Sequence, residues 1–179
     1  MHKLNAKQLR NLEGGVVDTS HLVKNDIYII LDDVLDTYNI GSVFRLADAI
    51  QAKKVILCKG SATPPNHRIK KASINTTEIV DWEYFEHTTD AIKKLRAEVE
   101  NIKIVAVELT ENSIPYNQYQ FELPVALIVG HETSGVAEDV LGLCDAVVEL
   151  PMFGINISLN VMVSLAIVLY EVVRQTVKK

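Results

Sequence analysis

The sequence predicts a single α/β domain, a largely parallel sheet flanked by helices, and three observations predict it. The chain has 179 residues, the length of one domain and enough to bury a large core without disulfides or a metal. From residue 27 onward, short runs rich in Val and Ile alternate with helical patterns, the rhythm of strand–helix–strand units. The run Val-Ala-Leu-Ile-Val at 125–129 has no polar alternation, as a strand covered on both faces requires.

In chain order, residues 1–25 are polar, carry Gly14-Gly15 and read as a short N-terminal extension with a helical turn around 6–12. The domain proper spans 26–179. Strands are predicted at 27–31, 54–58, 102–109, 125–129 and 146–150, and helices at 40–49, 90–100, 136–143 and 158–176. The second helix has Ala91, Leu95 and Val99 at spacing four, with Thr89 or Asp90 as its cap. The last helix is apolar on every side and so must be buried. Residues 60–79, punctuated by Pro64-Pro65, form one long irregular segment. Loops of that length are more often functional than idle.

Composition excludes several classes. A net charge of −5 rules out a protein coated in positive charge, though not a local basic patch. The opening MHKLNAKQLR has no apolar run behind its positive charges, so no signal peptide is expected. The longest apolar run, 161–170, contains Ser164 and is well short of a bilayer span of roughly 20 residues. Cys58 and Cys144 sit in apolar surroundings and read as reduced core thiols. No Cys or His cluster has metal-ligand spacing. The expectation is a cytoplasmic protein that binds neither metal nor membrane.

In an open α/β sheet, ligands bind outside the carboxyl ends of the strands. The segments that follow the strands here are DDVLDTYNIGSVFRLADA, LTENS, GHETSGVAED and PMFGINISLN. Asn39 reads as a helix N-cap. Arg45, among apolar residues on that helix, either snorkels to water or grips an anion with its planar fork. Gly130 would let a ligand approach the backbone, and Glu132 would sit at a helix start, where a carboxylate is favoured. His131 reads as an ordinary loop histidine. No lysine follows Gly135, so the segment is not a phosphate loop. A cap accounts for Ser158, leaving Asn156 and Asn160 in need of partners inside the protein or on a ligand. The patch His67-Arg68-Ile69-Lys70-Lys71, with Lys53 and Lys54 near in sequence, is either a solvated face or a phosphate-binding rim.

Taken in order, Asn39-x-Gly41-x-x-x-Arg45, Gly130-x-Glu132-x-x-Gly135 and Leu150-Pro151-Met152-x-Gly154-x-x-x-Ser158-Leu159-Asn160-Val161 resemble the SpoU/TrmH branch of the SPOUT RNA 2′-O-ribose methyltransferases, over about 27–174. The resemblance implies an α/β domain whose C-terminal part is threaded into a deep trefoil knot. Rules for ordinary folds would not predict this, since knots are almost absent from proteins. It implies S-adenosylmethionine as cofactor, with Val107, Leu109, Gly130, Leu150 and Leu159 around the adenosine. The last helix would pack into a homodimer core. Arg45 becomes the central catalytic residue, either taking the proton of the ribose 2′-hydroxyl with help from an RNA phosphate or, since a guanidinium stays protonated, orienting that phosphate and stabilising the developing alkoxide. Asn39, Glu132, Ser158 and Asn160 would position Arg45, the cofactor and the ribose, and Arg68, Lys70 and Lys71 would contact phosphates.

Residues 1–25 are too short for the separate RNA-binding domain of many ribosomal enzymes, and no extended basic tail follows the last helix. Transfer RNA is therefore favoured over ribosomal RNA. Two rivals remain. A non-catalytic RNA-binding or assembly factor predicts damaged motifs, yet Arg45, Glu132, Ser158 and Asn160 all stand. A generic nucleotide-binding protein needs a glycine-rich loop after the first strand, where LDTYNIGS has one glycine.

Overall fold

The computed structural model describes residues 8–9 and 23–177. Gln8 and Leu9 are helical; the rest of the expected turn at 6–12 lies outside the described residues. The chain then runs β1 (Asn25–Asp32), α1 (Thr37–Ala49), β2 (Ala52–Cys58), α2 (His67–Ser73), a 3-10 turn (Thr76–Glu78), β3 (Trp82–Phe85), α3 (Thr88–Glu98), β4 (Lys103–Val107), β5 (Ile114–Pro115), β6 (Val125–Gly130), α4 (Glu138–Leu141), β7 (Ala146–Glu149) and α5 (Val161–Thr176). The strands form one seven-stranded sheet in the order β3-β2-β1-β6-β4-β7-β5, and every pairing is parallel.

Alternate side chains of the central strands feed two separate cores, as the two-residue period of a strand dictates. Ile27, Ile29 and Leu31 of β1, with Val125, Leu127 and Val129 of β6, pack under α1 and α5. Tyr28, Ile30, Ala126 and Ile128 point the other way, toward Ala91, Ile92 and Leu95 of α3 and Val140 of α4. Ile40, Val43 and Phe44 of α1 are fully buried, each worth about 1.5–3 kcal/mol. Both cysteines are free thiols, and burial pushes each up to about 12, so neither offers a nucleophile at neutral pH.

The differences from expectation fall at ends and edges. β3 has alternating half-exposed residues and β5 only two; neither presents an apolar run. The segment 60–79 contains α2, capped by Asn66, whose Oδ1 accepts from the Arg68 and Ile69 amides at 2.9 and 3.3 Å. Its sequence HRIKKAS buries only Ile69 and Ser73, too little to register as a periodic stripe. α3 begins at Thr88, whose hydroxyl donates to Asp32 rather than capping. α5 is not wholly buried: Leu165, Val168, Leu169 and Val172 face the core, while Val163 and Tyr170 are exposed in the single chain. No described helix is long and apolar enough to cross a membrane.

Candidate active site

The carboxyl ends of β4, β6 and β7, together with the segment 150–161, enclose a cavity of about 550 Å³. That volume lies in the range of small-molecule sites. Val107, Leu109, Gly130, Leu150 and Leu159 all line it, as do Glu132, Ser158 and Asn160.

A polar chain ties one wall of the cavity to α1 and α5. The Glu132 carboxylate accepts the Leu35 amide at 3.1 Å, the Asp36 amide at 3.0 Å and the Asn39 side-chain amide at 3.0 Å. Asn39 Oδ1 in turn accepts from Asn160 Nδ2 at 3.1 Å. Asn160 Oδ1 accepts from the Met162 and Val163 amides at 3.0 and 3.4 Å, which caps α5. Partial burial pushes the Glu132 carboxyl up, but the bonds from Asn39, Asp36 and Leu35 outweigh it and hold the group below its ordinary value.

This geometry corrects three expectations. Asp36, not Asn39, caps α1, its Oδ1 accepting from the Tyr38 amide at 2.8 Å; Asn39 lies inside the helix, buried, as the link between Glu132 and Asn160. Glu132 does not begin a helix of its own, since α4 starts six residues later; its carboxylate instead serves the start of α1, where a negative charge is equally favourable. Asn160, not Ser158, caps α5. Ser158 lies in the approach to the helix, its amide donating to Asn156 Oδ1 at 3.4 Å.

The glycines of the motifs answer to the chain's own packing. A Cβ on Gly130 would lie 2.2 Å from the Gly135 carbonyl, and one on Gly41 would lie 2.6 Å from Ala72 Cβ and 2.8 Å from the Ile69 carbonyl oxygen. Gly130 therefore closes the turn after β6 rather than only admitting a ligand, and Gly41 lets α2 cross α1. His131 Nδ1 accepts from the Thr133 and Ser134 amides at 3.0 and 3.3 Å, a loop-shaping role.

Arg45 stands apart from the polar chain. Six residues beyond Asn39, it lies ~9 Å along α1 and about 120° around it, on the stripe of Gly41 and hence toward α2. It is exposed. Arg45, Arg68, Lys70 and Lys71 make no side-chain hydrogen bond or ion pair among the described residues, whereas Lys24, Lys53, Lys54, Lys59, Lys94, Arg96 and Arg174 each meet an acid. Lys53 and Lys54 do not join the α2 patch: they open β2, at the other end of the sheet, bonded to Asp26 and Glu83.

Sequence reasoning missed two acids. Buried Asp32 accepts from Thr88 Oγ1, Lys59 Nζ and the Ala137 amide. Glu108 accepts the amides of Leu109 and Val136. Both end apolar strands, the one signal that could have marked them.

The cavity wall carries Glu108, Glu132 and Glu149 and no lysine or arginine. Phosphate groups would find no cation there, whereas a phosphate-free nucleoside bearing a cationic sulfonium suits the donor set. The described residues contain no group of three or more His, Cys, Asp or Glu arranged to hold a metal ion.

The model of the SpoU rRNA Methylase family matches residues 26–170. A tRNA (guanosine(18)-2'-O)-methyltransferase of Aquifex aeolicus is 29% identical over 161 residues, 87% of this chain and 72% of the relative. A 23S rRNA (guanosine-2'-O-)-methyltransferase RlmB of Blochmanniella floridana is 31% identical over 155 residues, 85% of this chain and 60% of the relative. The SpoU methyltransferase AviRb from Streptomyces viridochromogenes, solved with AdoMet, superposes with a TM-score of 0.77 at 26% identity, covering 89% of this chain and 64% of its own. The chain thus spans between three-fifths and three-quarters of the length of these relatives.

Proposed function

The chain belongs to the SpoU rRNA methylase family, and on that premise we propose that it transfers a methyl group from S-adenosylmethionine to a ribose 2′-hydroxyl of RNA, with transfer RNA favoured over ribosomal RNA. The observation that carries the reading is a cavity lined by all five expected cofactor residues and by no lysine or arginine, in a chain whose α1 and α2 carry cations unpaired among the described residues. Relatives of both substrate kinds match the chain about equally.

When bound, S-adenosylmethionine supplies an electrophilic methyl group on a sulfonium. The chain's own part is to bind, orient and screen. Val107, Leu109, Gly130, Leu150 and Leu159 would hold the adenosine. Glu132, through Asn39, fixes Asn160 and the first turn of α5, so Asn160 faces the cavity in a set arrangement, with Ser158 also on its lining. Arg45, exposed and unpaired among the described residues, is free to take an RNA phosphate and to stabilise the oxygen that becomes negative as the hydroxyl loses its proton. Arg68, Lys70 and Lys71 continue that positive face along α2 and would contact neighbouring phosphates.

The reading includes a homodimer, supported by exposed Val163 and Tyr170 on α5 and by exposed Phe153, Ile155 and Ile157 beside it; such a patch marks an interaction surface. It also includes the trefoil knot, supported by the return of the chain from β7 to α5, which packs on β4, β6 and α1, and a cytoplasmic location. The test is incubation with methyl-labelled S-adenosylmethionine and unmodified transfer or ribosomal RNA. Label in transfer RNA as an alkali-resistant dinucleotide is the expected result. Label only in ribosomal RNA overturns the substrate, and label in neither overturns the activity. A monomer at micromolar concentration in sedimentation overturns the dimer.

A further inference from the structure

We propose that Glu108 is a positioning residue for the cofactor: its carboxylate clasps two walls of the pocket together, and Gly135 is the surface on which the clasp closes. The inference rests on the cofactor reading above.

Glu108 is the first residue past β4. Its Oε1 accepts the Leu109 amide at 2.9 Å and its Oε2 accepts the Val136 amide at 2.9 Å. Leu109 belongs to the wall at the end of β4, and Val136 to the end of the turn after β6, so the two oxygens are committed to different walls. The Glu108 backbone amide donates to the Val148 carbonyl at 3.0 Å, which anchors the clasp on β7 as well. Gly135 has φ +70°, and a Cβ there would lie 2.2 Å from Glu108 Oε2. Only glycine combines that backbone with room for the carboxylate.

The turn so held carries the rest of the site. His131 and Gly135 exchange backbone hydrogen bonds at 3.0 and 2.9 Å, so fixing Gly135 and Val136 fixes Gly130 and Glu132 with them. Val136 is buried, and its amide has no other acceptor among the described residues once the carboxylate is removed. A wall held before the ligand arrives spares the ordering cost of forming it on binding. Glu108 therefore acts on cofactor affinity rather than on the reacting atoms.

The experiment measures S-adenosylmethionine binding by calorimetry, together with KM for the cofactor and kcat, in E108A, E108Q, G135A and the E108A/G135A double variant. Loss of the acceptor of a buried amide predicts roughly tenfold weaker binding in E108A, with kcat at saturating cofactor within about threefold of wild type, the split that marks binding rather than transition-state interactions. E108Q keeps one acceptor oxygen and falls between. G135A alone weakens binding through the clash. In the double variant the methyl group added at position 135 meets no carboxylate, so the two changes combine to less than the product of their separate effects. Folded E108A binding within twofold of wild type, multiplicative effects in the double variant, or a lower kcat at unchanged KM overturns the role. If E108A does not fold, E108Q and G135A carry the same comparison. A wild-type protein that binds no S-adenosylmethionine overturns the functional reading itself, so the two failures are separable.

Discussion

The two ends of the sheet use charge differently. At the amino ends of the strands, Lys24 meets Asp81 at 2.6 Å, Lys53 meets Asp26 at 3.5 Å, Lys54 meets Glu83 at 3.2 Å, and Lys94 closes on Glu83 as well. Lysine and acid satisfy each other there, and Lys103 is exposed to solvent. At the carboxyl ends, apart from the Asp32–Lys59 pair, acids accept backbone amides instead: Glu132 from Leu35 and Asp36, Glu108 from Leu109 and Val136, Asp36 from Tyr38. The nearby cations of α1 and α2 meet no acid among the described residues. Acids that answer other charges neutralise a surface. Acids that answer backbone shape a cavity and leave the cations beside it free for a ligand.

The largest expected break in that contrast is Arg45→Ala. Removing a charge that stabilises the reacting oxygen typically costs ~10²–10³ in rate. Transfer at saturating RNA and cofactor should fall at least about a hundredfold, while calorimetry finds S-adenosylmethionine affinity within about twofold. Unchanged activity would remove Arg45 from the chemistry. Next in size, the triple change of Arg68, Lys70 and Lys71 to Ala should weaken RNA binding and reduce the slope of log affinity against log salt by about 2 to 3. Changing Lys53 and Lys54 to Met should leave the slope as it is, and equal slopes in both variants would show that α2 is only a solvated face.

Glu132→Gln sharpens the comparison on the stability side. The change should cost about 1 kcal/mol near neutral pH, the worth of a hydrogen bond to an exposed carboxylate. Because the folded group is held below its ordinary value, this stabilisation is present above the unfolded carboxyl pKa of about 4.3 and is lost as pH falls through the lower folded value. Urea denaturation of both proteins from pH 7 to 3 should show the gap closing only below about pH 4. Smallest is Glu83→Gln at the opposite end. Its carboxyl is lowered chiefly by the Lys94 bond, but the pair is partly exposed. The loss should stay under about 1 kcal/mol, shrink with added salt and leave cofactor affinity unchanged.

Much of this was legible in the sequence because it depends on local pattern. The apolar runs at 27–31 and 125–129 read as strands, the second as one covered on both faces, and both lie inside the sheet. Val107, Leu109, Gly130, Leu150 and Leu159 came from the family resemblance and not from any local pattern, and all five line the cavity. β3 and β5 were not legible, since half-exposed edge strands bury too little to leave a pattern, and α2 hid for the same reason. Ser158 passed for a cap because any hydroxyl ahead of an apolar helix satisfies the local rule; only the backbone at Asn160 decides which residue faces the open amides of Met162 and Val163.

The sequence by itself determined the class of fold, the buried strand runs and the polar segments that gather at the carboxyl ends, because hydrophobic period and strand-end polarity are properties of neighbours along the chain. The tertiary structure alone decided what those polar residues do. The chain from Glu132 through Asn39 to Asn160 joins positions 132, 39 and 160; the Glu108 clasp joins 108 to 136; and Gly41 is required by Ala72. Each of these depends on which segments the sheet order sets side by side. Hydrogen bonds act over about 3 Å and say nothing of separation along the chain, so no local pattern could have announced them.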